Sequence, residues 1–235
     1  MVRIRHAIIV DAGLPACEKC VKDKLFPVAR IFCVGRNYVE HAKEMGNEVD
    51  REAPFYFLKP TVGMAHSGAT VPYAPGTRDL HHEMELVVAI GKPAFRIGAE
   101  AAQSTVYGYA CGLDMTRRDL QQDSKDKRRP WDFGKAFENG AVLGPITPAS
   151  SVPSLEGRRI ALKVNGNIRQ DAHLDDLVWK IDELISHLSR YYHLMPGDLI
   201  FTGTPAGVGP VAVGDVLEGT IEGLEPVKLT IGPAE

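Results

Sequence analysis

No stretch of this chain approaches the roughly 18 consecutive apolar residues of a membrane-spanning helix. Its amino terminus also lacks the continuous apolar core and small-residue cleavage site of a secretory signal, so a soluble, cytoplasmic protein is expected. Charge of one sign does not prevail either. The 27 basic and 30 acidic residues leave a formal charge of -3 and are mixed along the chain, which excludes a role governed by a basic field toward nucleic acid or a membrane surface. The densest basic run, Lys125 to Arg129, is interrupted by Asp123 and Asp126 and reads as a solvated face.

Cysteine is scarce, with four in 235 residues. A chain of this length has a core that needs no disulfides, and Cys33 and Cys111 lie in apolar, strand-like runs, so reduced thiols are expected. Cys17 and Cys20 form a lone Cys-x-x-Cys without the second pair that a structural zinc requires, and without the strand and helix setting of a redox motif. They read as part of a surface loop. No Gly-x-Ser-x-Gly elbow occurs, which weakens a serine-hydrolase reading. The glycine-rich stretch Phe201 to Gly209 has neither a Walker lysine nor the Gly-x-Gly-x-x-Gly order, so a nucleotide is not expected. With no repeat and no low-complexity linker, 44% hydrophobic residues make one substantial core.

What the chain does have is an unusual arrangement of acids. In His81-His82-Glu83-Met84-Glu85-Leu86-Val87-Val88-Ala89-Ile90, a strand would point Glu83 and Glu85 to one face. Two anions on a half-buried face repel, and each unpaired buried carboxylate costs several kcal/mol or takes up a proton. A divalent metal is the simplest offset. Tyr107 to Leu113 reads as a further strand ending in Asp114, the candidate third ligand. Carboxylate oxygens without a cysteine or a ligating histidine pair favour Mg2+ or Mn2+ with open positions over a closed zinc site. Solvated acids on an exposed strand are the plain alternative.

A second constellation follows the compact apolar strand Ile31 to Val34. Asn37 offers an N-cap, with Glu40 three residues later, to a short helix from Tyr38 to about Met45 that Gly46 ends. His41 and Glu44 then stand at i and i+3 on one face, where a carboxylate can orient an imidazole for general-base work or form an ordinary surface pair. The polar residues 47 to 53 make the segment 37 to 53 a plausible lid. The middle of the chain reads as short strands bounded by Gly and Pro. The one long helix is expected between Asp175 and His193, and hairpin-like strands run on to Ile231. Near Thr204, glycines would let backbone NH groups approach a small carboxylate.

Taken in order, the blocks Gly35-Arg36-Asn37-Tyr38-x-x-His41, Phe57-Leu58-Lys59-Pro60, His82-Glu83-x-Glu85, Leu113-Asp114-Met115-Thr116-x-Arg118-Asp119-x-Gln121, Gly134-Lys135, Val164-Asn165-Gly166 and Thr202-Gly203-Thr204-Pro205-x-Gly207-Val208-Gly209 strongly resemble the fumarylacetoacetate hydrolase superfamily. The match runs over about residues 31 to 231, and the nearest likeness is to single-domain acylpyruvases of the fumarylpyruvate hydrolase type. The resemblance implies a mixed α/β, β-rich fold, a rolled sheet like the family's C-terminal domain with few helices. It would occupy residues 31–235 behind an amino-terminal extension, 1–30, with one short strand from Ile4 to Val10.

The resemblance further implies Mg2+ or Mn2+ on Glu83, Glu85 and Asp114, and a dyad of His41 and Glu44 that activates water under a lid. Lys135 would act with them, and Arg36, Arg118, Gln121 and Thr204 would hold a small 2-oxoacid. The implied activity is metal-dependent cleavage of a carbon-carbon bond in an acylpyruvate, giving pyruvate and a carboxylic acid. The alternatives are oxaloacetate decarboxylation or tautomerisation, isomerisation in an aromatic meta-cleavage pathway, or a non-catalytic metal-stabilised binding module. A homodimer is also implied. Two departures flank presumed substrate contacts: Arg117 stands where a small residue is usual, and Ala136 where a serine is common. Arg117 either favours a distal carboxylate or points to the surface.

Overall fold

In the computed structural model the described residues are 7–10, 24–44, 46 and 51–235. Cys17, Cys20, Met45 and residues 47–50, which bear on the Cys-x-x-Cys motif, the first helix end and the lid, lie outside them, as do Ile4 to His6 of the first expected strand.

Two main sheets build the molecule. The larger has eight strands, seven of them on one path in the order Phe55–Lys59, Arg30–Gly35, Asp198–Phe201, Met84–Ile90, Val106–Asp114, Ala141–Leu143 and Met64–His66, with Thr147–Pro148 paired off Val106–Asp114. The smaller has five, in the order Asn167–His173, Arg159–Val164, Val216–Ile221, Val227–Gly232 and Ala69–Pro72. Met84–Ile90 is buried along its whole length, so its period-2 alternation sorts apolar residues between two cores rather than between core and solvent. Leu86, Val88 and Ile90 join Leu113, Leu162, Leu217 and Leu184 in one cluster. Val87 and Ala89 face Ile31, Cys33, Ala110 and Phe201 in another. Glu85 lies on the same strand face as Val87 and Ala89, at the end of that second cluster.

The acidic strand differs from the sequence expectation in one detail. The ladder breaks at Glu83, between Leu80–His82 and Met84–Ile90. Pairing nevertheless continues through the backbone, because Asp114 N–H donates to Glu83 O at 2.8 Å and Gly112 pairs with Glu85. The break lets Glu83 turn toward Asp114 while Glu85 stays in register.

The helices differ more. The stretch from Asp175 to His193 holds a 3-10 turn, Leu174–Asp176, and a helix of nine residues, Ile181–Ser189, because the intervening residues close hydrogen bonds with Asn37 instead. A second helix of equal length, Arg118–Asp126, was hidden in sequence by its polarity. Its mean composition is hydrophilic, yet Arg118, Gln121 and Ser124 are buried. No helix among the described residues is long and apolar enough to cross a membrane.

Asn37 is not the cap that its spacing to Glu40 implies. Its side chain is fully buried, with Nδ2 donating to Thr202 O at 2.8 Å and Trp179 O at 3.0 Å, and Oδ1 accepting from Trp179 N at 2.7 Å. It ties the end of strand Arg30–Gly35 to two segments distant in sequence. Gly203, at φ +98°, permits this close packing, since a Cβ there would meet Asn37 Cβ at 2.7 Å. Asn37→Ala should lower the free energy of unfolding by about 2–4 kcal/mol, because three hydrogen bonds to backbone groups are lost. Urea denaturation checks this, and a midpoint unchanged from the parent would refute it.

Candidate active site

Glu83, Glu85 and Asp114 converge as the sequence pattern anticipates. One oxygen from each lies within 4.8 Å of the others, and all three residues are buried. Two lysines and an arginine pack among them. Lys135 Nζ donates to Glu83 Oε2 at 2.7 Å, Asp114 Oδ2 at 2.8 Å and Thr116 Oγ1 at 2.6 Å. Arg118 Nη2 donates to Glu83 Oε1 at 2.6 Å. Lys59 Nζ donates to Met115 O and Lys135 O, at 2.8 and 2.6 Å. It also lies 2.8 Å from Asp114 Oδ1, close enough for an ion pair but misaligned for a hydrogen bond, so that this buried oxygen is left without one.

The compensation is uneven. Burial opposes ionisation of Glu83, yet Lys135 and Arg118 outweigh it and hold the carboxyl well below the usual range. Burial works against the charge of Lys135 too, but Asp114 and Glu83 raise its pKa above the ordinary lysine value. Glu85 has only the Gly203 N–H, at 2.7 Å on Oε2, and pairs with no cationic side chain among the described residues. Burial, then Asp114 and Glu83, push its carboxyl well above the usual range. An under-compensated glutamate, an orphaned Asp114 oxygen and an all-oxygen donor set fit a hard divalent cation.

His41 and Glu44 meet across the short helix Val39–Glu44, with Nδ1 and Oε2 3.2 Å apart. Gly207 N–H steadies the same carboxylate from the glycine-rich loop, at 3.1 and 3.2 Å from its two oxygens. With Nδ1–H given to Glu44, the lone pair sits on Nε2. Burial lowers the pKa of His41 below 6.5, against the opposing pull of Glu83 and Glu44, so the imidazole is neutral at pH 7.

One cavity joins these groups. His41, Glu83, Glu85, Arg118, Gln121, Lys135 and Thr204 line it with Arg36. Arg118 Nη1 donates to Gln121 Oε1 at 2.6 Å. Gly134 lets the segment carrying Lys135 lie against this pair, because a Cβ there would come within 2.7 Å of Gln121 Cβ. The Thr204 hydroxyl donates to Met84 O and accepts from Gln170 Nε2, at 2.7 and 2.8 Å. The Gly203 N–H expected to meet a ligand serves the protein's own Glu85 instead. Arg117 does not line the cavity. Its guanidinium lies 4.4 Å over the Phe137 ring.

Two lysines, Lys59 behind Lys135 and Lys125 in the cavity wall, escaped the sequence reading. Lys59 sits in a quoted block, but its role was invisible because inward pointing cannot be read from a lysine at the end of an apolar strand. Lys125 was assigned to a solvated run. Lys127, Arg128 and Arg129 are exposed, whereas Lys125 is half-buried and lines the cavity. The missed signal was its spacing of seven from Arg118, two helical turns along one face.

The protein-family model "Fumarylacetoacetate (FAA) hydrolase C-terminal" matches residues 30–232. A fumarylpyruvate hydrolase of Ralstonia sp is 53% identical over 193 residues, covering 81% of this chain and all of the relative. The mitochondrial oxaloacetate tautomerase FAHD1 of Homo sapiens is 41% identical over 205 residues, 87% of this chain and 92% of its own. Among solved structures, fumarylpyruvate hydrolase from Pseudomonas aeruginosa in complex with Mn2+ and pyruvate superposes with a TM-score of 0.86 at 46% identity, over 90% of this chain and 93% of that one. The rolled, strand-rich architecture, the acid cluster and these likenesses agree, and the chain belongs to the fumarylacetoacetate hydrolase family.

Proposed function

We propose that this chain is a metal-dependent hydrolase that cleaves an acylpyruvate to pyruvate and a carboxylic acid, with fumarylpyruvate the favoured substrate. The observation that carries the reading is one cavity lined both by Glu83 and Glu85 of the buried three-carboxylate cluster and by the carboxylate-oriented His41. The likeness at 53% identity to a fumarylpyruvate hydrolase supports the choice of substrate.

In this reading Glu83, Glu85 and Asp114 hold Mg2+ or Mn2+, which supplies Lewis-acid polarisation of the 2-oxoacid worth several kcal/mol. Arg118, Gln121 and Thr204, with Arg36 further out, bind and orient the substrate's carboxylate and keto oxygens. His41 Nε2 takes a proton from water, whose oxygen attacks the C4 carbonyl carbon. The bond between C3 and C4 then breaks, its electron pair passes to C3 and the adjoining keto group, and a proton returned to C3 completes pyruvate. Lys135 offsets the charge that develops on the departing fragment, and His41 is the general base. Such a general base contributes about 10²- to 10⁴-fold. The homodimer would cover the edge strand Phe55–Lys59, whose Phe55 and Leu58 are exposed.

Oxaloacetate tautomerisation, favoured by relatives such as the human oxaloacetate tautomerase at 41% identity, or decarboxylation of the same substrate is the second reading. Neither needs activated water. His41→Ala should therefore cut acylpyruvate hydrolysis at least about 10²-fold while largely sparing decarboxylation of oxaloacetate, which needs no proton abstracted. Equal losses on both substrates would sink the assignment of His41 as base for water.

Because burial depresses its pKa, His41 is active above that value and is lost as a base when protonated. The acid limb of kcat/KM should accordingly fall through a midpoint below 6.5. A pH profile of hydrolysis checks the sign, and a midpoint above 6.5 contradicts it.

Metal binding gives a third test, by differential scanning fluorimetry. A divalent ion at a hundredfold excess over its Kd stabilises by about 2.7 kcal/mol, or roughly 5–10 °C in Tm for a domain this size. Glu85→Gln should fold as well as the metal-free parent, since it removes the least compensated carboxylate, yet lose most of that increment. A full increment in the variant would place the ion elsewhere.

A further inference from the structure

The helix Arg118–Asp126 carries Arg118, Gln121 and Lys125 at i, i+3 and i+7, and all three line the cavity. Arg118 and Gln121 are buried and Lys125 is half-buried, while Arg36, nearby in the same lining, is exposed. The polar groups thus run from the carboxylate cluster outward to a mouth that carries two cations.

Neither of these outer cations has an anionic partner among the described residues. The acids beside Lys125 on its helix are engaged elsewhere, Asp123 with Lys127 at 2.5 Å and Asp126 with Gln122 at 2.7 Å. Lys125 instead lies 5.3 Å from the centroid of the Trp131 ring, and Arg36 lies 6.0 Å from that of Phe55. Burial, then Arg118 and Arg36, lower the Lys125 pKa from its ordinary value, against the opposing pull of Glu83. Arg36 also holds a left-handed backbone, φ +59°, a conformation that side chains other than glycine adopt only when their surroundings impose it. The apolar part of the wall is Val34, Phe57 and Trp131, with the Phe57 ring centroid 4.9 Å from Lys135 Nζ and the Trp131 ring centroid 5.3 Å from Lys125 Nζ. The lining therefore suits a short chain that is anionic at both ends and apolar between.

We propose that Lys125, assisted by Arg36, binds a second carboxylate at the far end of the substrate and selects acylpyruvates that end in a carboxylate over those that end in an alkyl group. This subsite rests on the acylpyruvate reading for its place in the reaction, but its charge selectivity can be measured without turnover. It also moves the expected distal cation from Arg117, which stacks on Phe137, to a residue one turn beyond Gln121.

The test compares the parent with Lys125→Met and Lys125→Arg in the Mn2+-loaded protein. Calorimetry measures binding of 2-oxopimelate, which has a terminal carboxylate, and of 2-oxoheptanoate, which does not. Kinetics compare fumarylpyruvate with acetylpyruvate. The parent should prefer each dicarboxylate, and Lys125→Met should lower that preference about tenfold, mainly through Kd and KM, as expected for a charge-assisted contact that is partly screened. Lys125→Arg should restore it to within a few-fold. A parent that binds the two 2-oxoacids equally, or a Met variant that weakens both alike or neither, overturns the proposal. A parent that cleaves neither acylpyruvate but still prefers 2-oxopimelate, with the preference lost in Lys125→Met, removes the hydrolase reading and upholds the subsite.

Discussion

The ammonium of Lys135 is the contact on which the centre depends. It bridges Glu83 and Asp114 while donating to Thr116, and without it two buried carboxylates from neighbouring strands would face each other across a low-dielectric gap. Its own position is fixed from behind, because Lys59 Nζ donates to Lys135 O. The two lysines therefore act as one unit, the first holding the backbone of the second. Arg118 completes the group by taking the remaining side of Glu83. A buried network of charged groups of this kind specifies one arrangement of its members more than it adds to net stability.

Three parts of the fold meet to make this arrangement. The sheet delivers Glu83, Glu85 and Asp114 from paired strands, and a hydrophilic helix lays Arg118 and Gln121 over them. The short helix Val39–Glu44 brings His41 in from another side, held by Glu44 and, through Glu44, by the loop at Gly207. The last contact spans 163 residues of sequence, so His41 is positioned by closure of the fold and not by local propensity. Asn37 has the same character, since every side-chain partner it has is remote in sequence.

This difference in range explains what could be read from the amino-acid order. The strands around Ile31 to Val34 and Tyr107 to Leu113 were legible because their apolar runs end sharply at Gly or a charged residue. The acid pair was legible because a spacing of two in a strand leaves few other geometries, and His41 with Glu44 because i and i+3 on a helix do the same. The helix Arg118–Asp126 was not legible. Its inward face is built from Arg, Gln and Ser, so the usual apolar periodicity is absent, and the one long helix was assigned instead to the apolar stretch where only Ile181–Ser189 is helical. Asn37 misled for a related reason. Its spacing to Glu40 satisfies a local capping rule, whereas its amide is committed to bonds 142 and 165 residues away.

Charge balance shows why a centre so rich in acids also needs so many bases. With their ordinary charges, the three carboxylates and the three cations Lys59, Lys135 and Arg118 cancel. A divalent ion bound among them would leave two positive charges in a buried space, which is costly unless an anion enters with it. The fragment that departs from an acylpyruvate carries one negative charge on its carboxylate and develops a second as the carbon-carbon bond breaks. The inner group is thus under-neutralised by the substrate and matched by the charge that forms during cleavage, the condition for stabilising a transition state more than a ground state. Without the lysines the same ion would face excess negative charge from its own ligands, and the pull on the substrate's electrons would be weaker. The bases would therefore be as much a part of the chemistry as the acids proposed to hold the ion.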